Sequence, residues 1–200
     1  MALVSHDALL RYSELHNLRL IDVEWLNLTP AGLSAKICIR ISKTTTTVPY
    51  EPDDPYANVV IKLYTNSLSQ PFCAAHYLRL YWIQMGFDSL SQSDPQAFLF
   101  PRFQGLQLAA GLTTATPKSR YLKILHSLLV AAGIDPSRYS GHSGRSGGAT
   151  DLFQGNASLR NIQLQGRWHS DAFLLYIRDN LVDRAEDIFS AFHKAALLPR

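Results

Sequence analysis

Side chains that suit chemistry on an anion follow one another in the last third of the sequence. His142 and Arg145 stand at positions i and i+3, so on a helix they would share one face and reach the same anion. A Gly166-Arg-Trp168 segment follows, and Tyr176 comes thirty-one residues after Arg145 (176 − 145), within a short apolar run. Because the tyrosine lies eight residues beyond Trp168 (176 − 168), about two helical turns, both rings can face one site. The order indicates an anion-binding site with a phenol close to it.

Two other kinds of site are not indicated by the same stretch. A nucleotide-binding loop is excluded, because no Gly-Lys-Ser or Gly-Lys-Thr follows the glycines. A zinc site is not expected, since His142 and His169 lack carboxylate or cysteine partners at ligand spacing. Glycines 141, 144, 147 and 148 crowd the start of the predicted helix, and glycine inside a helix costs about 1 kcal/mol relative to alanine. We therefore expect Gly144 and Gly147 to loosen the helix.

The composition describes a folded and mildly basic protein. The chain has 200 residues, of which 46% are hydrophobic and 18% charged, with a net charge of +3. These values suit one globular domain with a core of its own and permit a polyanionic partner. Cys38 and Cys73 have no C-x-x-C spacing and are interpreted as buried thiols in a reducing compartment. No apolar run has the length of a membrane span, so we expect an intracellular protein.

Hydrophobic periodicity predicts the elements that must position these residues. A period near 3.6 indicates helices and a period of 2 indicates strands. We predict helices at 6–18, 71–85 and 119–132, an amphipathic helix at 181–193, strands at 20–28, 33–41 and 58–64, and loop at 86–118. The expected fold is α+β, mainly helical, with a small three-stranded antiparallel sheet.

Two upstream segments complete a pattern that resembles the tyrosine recombinases, the phage-integrase family. Residues 9–23, LLRYSELHNLRLIDV, are similar to the first arginine box of that family and place Arg11 in it. The phrase S-K-T, at residues 42–44, resembles the family's lysine position and points to Lys43. With H-x-x-R, G-R-W and the tyrosine, all six expected positions are filled in order. The wording GRWHSDAFLLYIRDN is most similar to the recombinases of cryptons and DIRS-like retroelements.

The catalytic residues that this resemblance implies are Arg11, Lys43, His142, Arg145, Trp168 and Tyr176. In that scheme the arginines, the histidine and the tryptophan donate hydrogen bonds that stabilise the charge on a phosphodiester in the transition state. The lysine protonates the departing 5′ oxygen, and the tyrosine holds the DNA as a 3′-phosphotyrosine. Glu14 is implied to hold an arginine or His142 in place. Since the covalent link keeps the bond energy, neither a nucleotide cofactor nor a metal is required.

The two ends of this constellation each have a competitor. Arg19 competes with Arg11, although it lies in the run that leads to the strand, outside the L-R-x-S-E-L motif of the box. An isolated Arg11–Glu14 pair would be only a solvated helical salt bridge. Tyr139 competes with Tyr176 as the nucleophile, but it precedes H-x-x-R, where the family has none.

The middle of the constellation also leaves alternatives open. His169 is the alternative to Trp168 as a phosphate donor, and a buried core tryptophan is the structural alternative. Several family members have one more residue between this position and the tyrosine, which leaves the register of Tyr176 open. Lys36 and Lys62 are interpreted as surface lysines of the sheet.

The implied function is DNA strand cleavage and rejoining in the site-specific recombination or integration of a mobile element. Double-stranded DNA is the expected partner, with Lys118, Arg120 and Lys123 as candidate phosphate contacts. The 181–193 segment is expected either to pack on its own domain or to dock on a neighbouring copy in a DNA-bound tetramer. The protein is expected to reside with DNA, in the nucleus if the host is eukaryotic.

The resemblance covers residues 9–178, so residues 1–200 are expected to form a single catalytic domain without the N-terminal DNA clamp of the family. Two other functions stay open at this stage. A type IB topoisomerase would share the chemistry and relax supercoils without joining partners. A non-catalytic DNA-binding module of the same fold would bind without cleaving.

Overall fold

A computed structural model gives the fold of this chain. The residues it describes are 1–29, 32–39, 59–65, 73–104, 107–108, 111–168 and 170–177. The architecture is helix-rich with a small antiparallel sheet, as the sequence predicts. None of the helices in these ranges is long and apolar enough to cross a membrane.

The N-terminal region contains two helices, so the prediction of one helix over 6–18 is wrong. Helix α1 spans Ala2–Asp7 and helix α2 spans Tyr12–Asn17. Between them Leu9 adopts a left-handed conformation with φ of 49°, and Arg11 is extended. Neither conformation continues a right-handed helix, so the chain turns although its apolar spacing is still helical.

Three strands form the larger sheet in the order β1-β2-β3, all antiparallel. Strand β1 is Val23–Thr29, β2 is Gly32–Ile39 and β3 is Val59–Thr65. A short 3₁₀ turn at Leu20–Asp22 precedes β1, where the sequence prediction already begins the strand. Every second residue of β2 faces the core, as the period of 2 indicates; the buried ones are Leu33, Ala35, Ile37 and Ile39.

The middle of the chain contains more structure than the predicted loop over 86–118. Helix α4 spans Phe87–Ser93 and begins after Gly86, whose φ of 67° is easily reached only by glycine. Further on, β4 at Phe103–Gln104 pairs with β5 at Gln107–Leu108. The polar composition of α4 hides it from a periodicity argument, because only Phe87 of this helix is buried.

Two helices on either side of this region agree with the sequence prediction. Helix α3 spans Ala74–Gln84, within the predicted 71–85. Helix α5 spans Lys118–Ala131, one residue from the predicted bounds at each end. The first was predicted from a strongly apolar run that follows a proline, and the second from its amphipathic pattern.

The C-terminal part contains α6 at Ser143–Gln154 and α7 at Leu159–Gly166, followed by a helical turn that reaches residue 177. Helix α6 packs against α1 at very short range. A Cβ placed on Gly148 would lie 2.1 Å from the carbonyl oxygen of His6. The expected loosening of α6 is therefore wrong: the helix is regular, and its glycines provide the space in which α1 approaches.

Polar contacts of His6 also join α1 to α6. Its Nδ1 lies 2.9 Å from Asp7 and its Nε2 lies 3.0 Å from Asp151 of α6. The hydrogen bond to Asp7, followed by the charges of both aspartates, raises the pKa of His6. Asp7 also accepts a hydrogen bond from the backbone N–H of Ala74, which ties the start of α3 to the same corner.

The described residues form two apolar cores. Among the described residues, the larger one combines α1, α2, the strands β1 and β2, α3 and α4. The smaller one lies under α6 and α7, and its buried members are Ala149, Ile162, Phe173 and Ile177. The contact between α1 and α6 joins the two cores.

The close approach of these helices predicts a sharp difference between two neighbouring glycines. Gly148→Ala should lower the free energy of unfolding by about 1–3 kcal/mol, because the new methyl group overlaps the backbone of α1. Gly147→Ala is the matched control, since its Cβ would be 3.4 Å from the nearest atom, the Cδ2 of His6. That variant should be neutral or more stable by up to about 1 kcal/mol, because alanine favours the helix. Urea unfolding measures both, and equal effects would contradict the packing described.

Candidate active site

Glu14 forms the centre of the candidate site. It lies in the first turn of α2, where its Oε2 accepts a hydrogen bond of 2.7 Å from the backbone N–H of Arg11. Its Oε1 accepts a second one, of 2.9 Å, from Nη1 of the same arginine. The side chain of Glu14 is completely buried. Glu14 thus caps the start of α2 through the backbone N–H of Arg11 and also binds the Arg11 guanidinium, which fixes the position of both side chains.

Two more arginines approach the same carboxylate from other elements. Nη2 of Arg167, just after α7, donates to Oε2 of Glu14 at 2.8 Å. Nη1 of Arg145, in α6, lies 3.9 Å from that oxygen. Three guanidinium groups and one carboxylate leave a net charge of +2 (3 − 1) in a region largely closed to water. An anion would offset the repulsion between these buried charges, so the cluster favours an anionic ligand.

Arg145 is almost completely buried, with 1% of its side chain exposed. It donates to the carbonyl of Leu9 at 2.7 Å and to the carbonyl of Gly166. Burial, and then the charges of Arg11 and Arg167, lower its pKa to about 9, so it stays protonated at neutral pH. The sequence predicts an anion-binding arginine at this position. In the structure the Arg145 side chain already donates hydrogen bonds to two backbone carbonyls.

The ring of Trp168 covers the guanidinium of Arg145, whose Cζ lies 4.1 Å from a ring centroid. This cation–π contact depends on Gly166, since a Cβ there would be 1.6 Å from Cζ3 of Trp168. Arg167, between them, adopts a left-handed conformation with φ of 56° and ends α7. The G-R-W segment is thus a tight reversal that places the indole ring against its own backbone.

The ring of Tyr176 lies next to that of Trp168. Its centroid lies 5.7 Å from that of Trp168, and Phe173 lies 5.8 Å from Trp168 on the helical turn that carries the tyrosine. The hydroxyl of Thr150 in α6 donates to the carbonyl of Tyr176 at 2.9 Å. A negative charge on the phenol raises the pKa of Arg145, so the two groups are close enough to interact electrostatically.

Tyr139 occupies a different place from Tyr176. Its carbonyl oxygen lies 3.0 Å from Nε2 of His126 in α5, at the end of a 3₁₀ turn over Pro136–Arg138. None of the described contacts brings its ring to Glu14 or to the three arginines.

His142 lies at the entrance of α6 with an exposed side chain, as the N-cap residue of the helix. Gly141, just before it, faces two other elements of the site. A Cβ placed there would lie 3.2 Å from Cε of Lys118 and 3.4 Å from Cβ of Tyr12. Since Tyr12 opens α2, Lys118 lies next to the first turns of α2 and α6, which carry Arg11 and Arg145.

The remaining basic candidates lie away from the cluster. Arg120 and Lys123 are exposed on α5, where they border a shallow cavity with Ser127. Arg19 stacks on Phe98 at 3.5 Å and donates to the carbonyl of Gln96, so it is bound elsewhere.

Some predicted positions fall outside the described residues. These are Lys43, His169 and the amphipathic segment at 181–193. Lys36 pairs with Glu24 at 3.0 Å on neighbouring exposed positions of β1 and β2, in agreement with a surface lysine. Across the part of the chain that is described, no group of three His, Cys, Asp or Glu residues is arranged to hold a metal.

Arg167 is the residue of this cluster that the sequence reasoning missed. The conspicuous tryptophan beside it drew the assignment. The sequence nevertheless contains a signal for Arg167. It lies nine residues before Tyr176 (176 − 167), one residue more than Trp168, and this longer spacing is the one that the open register of Tyr176 also allows.

Comparison with known proteins gives a match in structure alone. No protein-family model matches the sequence, and no curated protein matches it. The structure of XerH site-specific recombinase bound to palindromic difH substrate, a post-cleavage complex, superposes with a TM-score of 0.55 at 16% identity. A pre-cleavage complex of XerH with difH superposes with a TM-score of 0.53, also at 16% identity.

These superpositions cover 94% and 88% of this chain, but only 44% and 41% of the XerH chains. The chain therefore spans less than half the length of the recombinase that it resembles. At this level of identity the likeness shows the fold, which is one found in a site-specific recombinase.

The central role of Glu14 leads to a stability prediction. Glu14→Gln keeps the shape of the side chain but leaves three guanidinium groups without their carboxylate. The free energy of unfolding should fall by about 3–5 kcal/mol, as expected when one partner of a buried ion cluster is removed. Glu24→Gln, at the exposed pair with Lys36, is the matched control and should cost at most about 1 kcal/mol. Similar small losses in both variants, measured by urea unfolding, would contradict the buried cluster.

Proposed function

We propose that residues 1–200 form the catalytic domain of a tyrosine recombinase that cleaves and rejoins DNA strands through a covalent 3′-phosphotyrosine. The observation that carries the proposal is the buried cluster of Glu14 with Arg11, Arg145 and Arg167. The guanidinium of Arg145 lies under the Trp168 ring, and that ring is in turn next to the ring of Tyr176. Fold similarity to XerH and the order of the sequence motifs support the proposal.

The positive cluster is suited to stabilise the two negative charges of this reaction, one on the phenolate and one on the phosphodiester in the transition state. A phenol has a pKa near 10 and is a poor nucleophile at neutral pH, so its phenolate needs a neighbouring positive charge. Arg145, which lies under the Trp168 ring next to Tyr176, is the positive charge proposed for this role. The phosphodiester gains negative charge on its non-bridging oxygens in the transition state, and arginine forks stabilise it.

Each step of the proposed reaction balances without a metal or a nucleotide. The Tyr176 hydroxyl gives its proton to water, its oxygen forms a bond to phosphorus, and the bond from phosphorus to the 5′ oxygen breaks. Lys43 donates a proton to that departing oxygen, by its resemblance to the family lysine. In the second step a 5′ hydroxyl from another strand attacks the phosphotyrosine and gives its proton to the now neutral Lys43, while the phenol oxygen leaves and regains a proton from water.

Binding of DNA requires Arg145 to become accessible. Its exposed fraction is 1%, and the Trp168 ring covers one face of its guanidinium. Arg11 is the more exposed member of the cluster, at 17%, and would meet the phosphate first. We therefore assign Trp168 the role of shielding Arg145 before DNA binds. In the complex, the indole N–H of Trp168 and the exposed side chain of His142 donate hydrogen bonds to the phosphate.

The wider assignments rest on the resemblance. The wording of the GRW segment leads us to propose integration or excision of a mobile element as the biological role. Lys118, beside the first turns of α2 and α6, is proposed to contact a phosphate near the cleaved one, with Arg120 and Lys123 further along α5. Assembly into a DNA-bound tetramer through residues 181–193 belongs to the same proposal.

A nicked suicide duplex tests the proposal, because loss of the short strand after cleavage traps the covalent intermediate. Wild-type protein should give an adduct that survives denaturing electrophoresis. Tyr176→Phe should give no adduct while its DNA affinity changes less than about threefold, since only one phenolic oxygen is lost. Tyr139→Phe is the matched control and should form the adduct normally.

The other outcomes identify the competing functions. An adduct that persists in Tyr176→Phe and disappears in Tyr139→Phe would overturn the choice of nucleophile. Tight DNA binding with no adduct would indicate a non-catalytic module. An adduct accompanied by plasmid relaxation, with no joining of two duplexes, would indicate a topoisomerase.

A further inference from the structure

Arg167 ends α7, and its guanidinium also makes contacts to distant parts of the site. Its Nη2 donates to Glu14 at 2.8 Å and to the carbonyl of Leu9 at 3.1 Å. Its Nη1 donates to the carbonyl of Gln165 at 3.1 Å and reaches that of Ala8 at 3.5 Å. One guanidinium therefore connects the end of α7 to the loop between α1 and α2.

The loop that receives these bonds also holds Arg145. The Leu9 carbonyl accepts from both Arg145 and Arg167, so one oxygen fixes two guanidinium groups. Leu9 and Arg167 both have left-handed backbone conformations, at φ of 49° and 56°. Such conformations are costly for residues other than glycine, and they persist where surrounding contacts require them.

The side chain of Arg167 is 7% exposed, and its Nε has no hydrogen-bond partner within the described part of the chain. A buried guanidinium is thus held here at the cost of one unsatisfied donor. The contacts to Glu14 and Leu9 compensate for that cost. This arrangement is that of a side chain placed to orient other groups.

We propose that Arg167 is a positioning residue for DNA cleavage: it acts through Glu14 and the Leu9 carbonyl to align Arg11 and Arg145 with the segment that carries Tyr176. This inference rests on the proposed function and adds to it a residue that does not itself touch the phosphate. Trp168 then stacks on Arg145, while its neighbour Arg167 holds the two arginines of the phosphate site.

A double-mutant cycle between Arg167 and Glu14 tests the inference. The variants are Arg167→Gln, Glu14→Gln and the double substitution, with Arg160→Gln on the exposed face of α7 as the matched control. The first readout is the rate of adduct formation on the suicide duplex at saturating DNA, and the second is DNA affinity. The third is the urea midpoint of unfolding without DNA.

Arg167→Gln should slow adduct formation by about 100-fold, the effect of a small misplacement of catalytic groups. Its DNA affinity should change by less than about threefold, and Arg160→Gln should leave all three readouts unchanged. The double variant should be no slower than the slower single variant, because both substitutions break the same link.

Arg167→Lys separates positioning from direct contact with the phosphate and serves if Arg167→Gln does not fold. A lysine keeps the charge but cannot make the forked contacts to Glu14 and Leu9. We expect it to stay at least about tenfold slower than wild type. A rate equal to wild type, or losses that multiply in the double variant, would overturn the inference in favour of a charge acting on the phosphate.

The DNA-free readout keeps the inference separate from the proposed function. If wild-type protein forms no adduct, the proposed function fails, and the urea midpoints alone decide whether Arg167 acts through Glu14. A double variant shifted no further than the larger single shift supports the link. Shifts that add would overturn it.

Discussion

The buried Glu14 carboxylate is the interaction on which the rest of this structure depends. A carboxylate removed from water loses several kcal/mol of hydration, which only close and well-oriented partners compensate. Here the partners are Arg11 from its own helix, Arg167 from the end of α7 and, at longer range, Arg145 from α6. One acidic side chain thus gathers three basic ones whose mutual repulsion would otherwise keep them apart.

The fold around this carboxylate serves to bring its partners together. Glu14 lies on α2, a helix that packs in the larger core, whereas Arg145 and Arg167 belong to the helices over the smaller one. The two cores meet where Gly148 lets α6 approach the backbone of α1. Because α1 leads directly into the Leu9 loop, the same contact sets the carbonyl that holds both Arg145 and Arg167. Packing and electrostatics therefore fix the site jointly.

Much of this arrangement is visible in the sequence where a local pattern determines it. The Arg11–Glu14 spacing and the H-x-x-R box are both conspicuous in the sequence, because each depends on a spacing of three residues within a single helical turn. The break at Leu9 is not visible, since apolar spacing continues through it and only tertiary contacts select the left-handed conformation. The role of Gly148 is hidden for a similar reason, because the helix that approaches it is distant in sequence.

Arg167 and Lys43 show two other limits of sequence reasoning. Arg167 is overlooked in the sequence because the tryptophan beside it, Trp168, is the more obvious candidate for the site. Only the structure shows that the Arg167 guanidinium points inward to Glu14. Lys43 stands on a resemblance in a threonine-rich stretch and stays a prediction. The left-handed backbone at Arg167, which aims its side chain, follows from the reversal that also places Trp168.

The central claim is that the arginine cluster acts by neutralising the charge of a phosphodiester. It is tested most directly by replacing the cleaved phosphate with an uncharged methylphosphonate and measuring adduct formation by wild type and Arg145→Ala. Because the methylphosphonate carries one negative charge fewer than the phosphodiester, also in the transition state, the account predicts that Arg145→Ala, slowed by about 100-fold or more on the normal phosphate, approaches the wild-type rate on the methylphosphonate. An equally large defect on both substrates would contradict charge neutralisation as the function of the cluster.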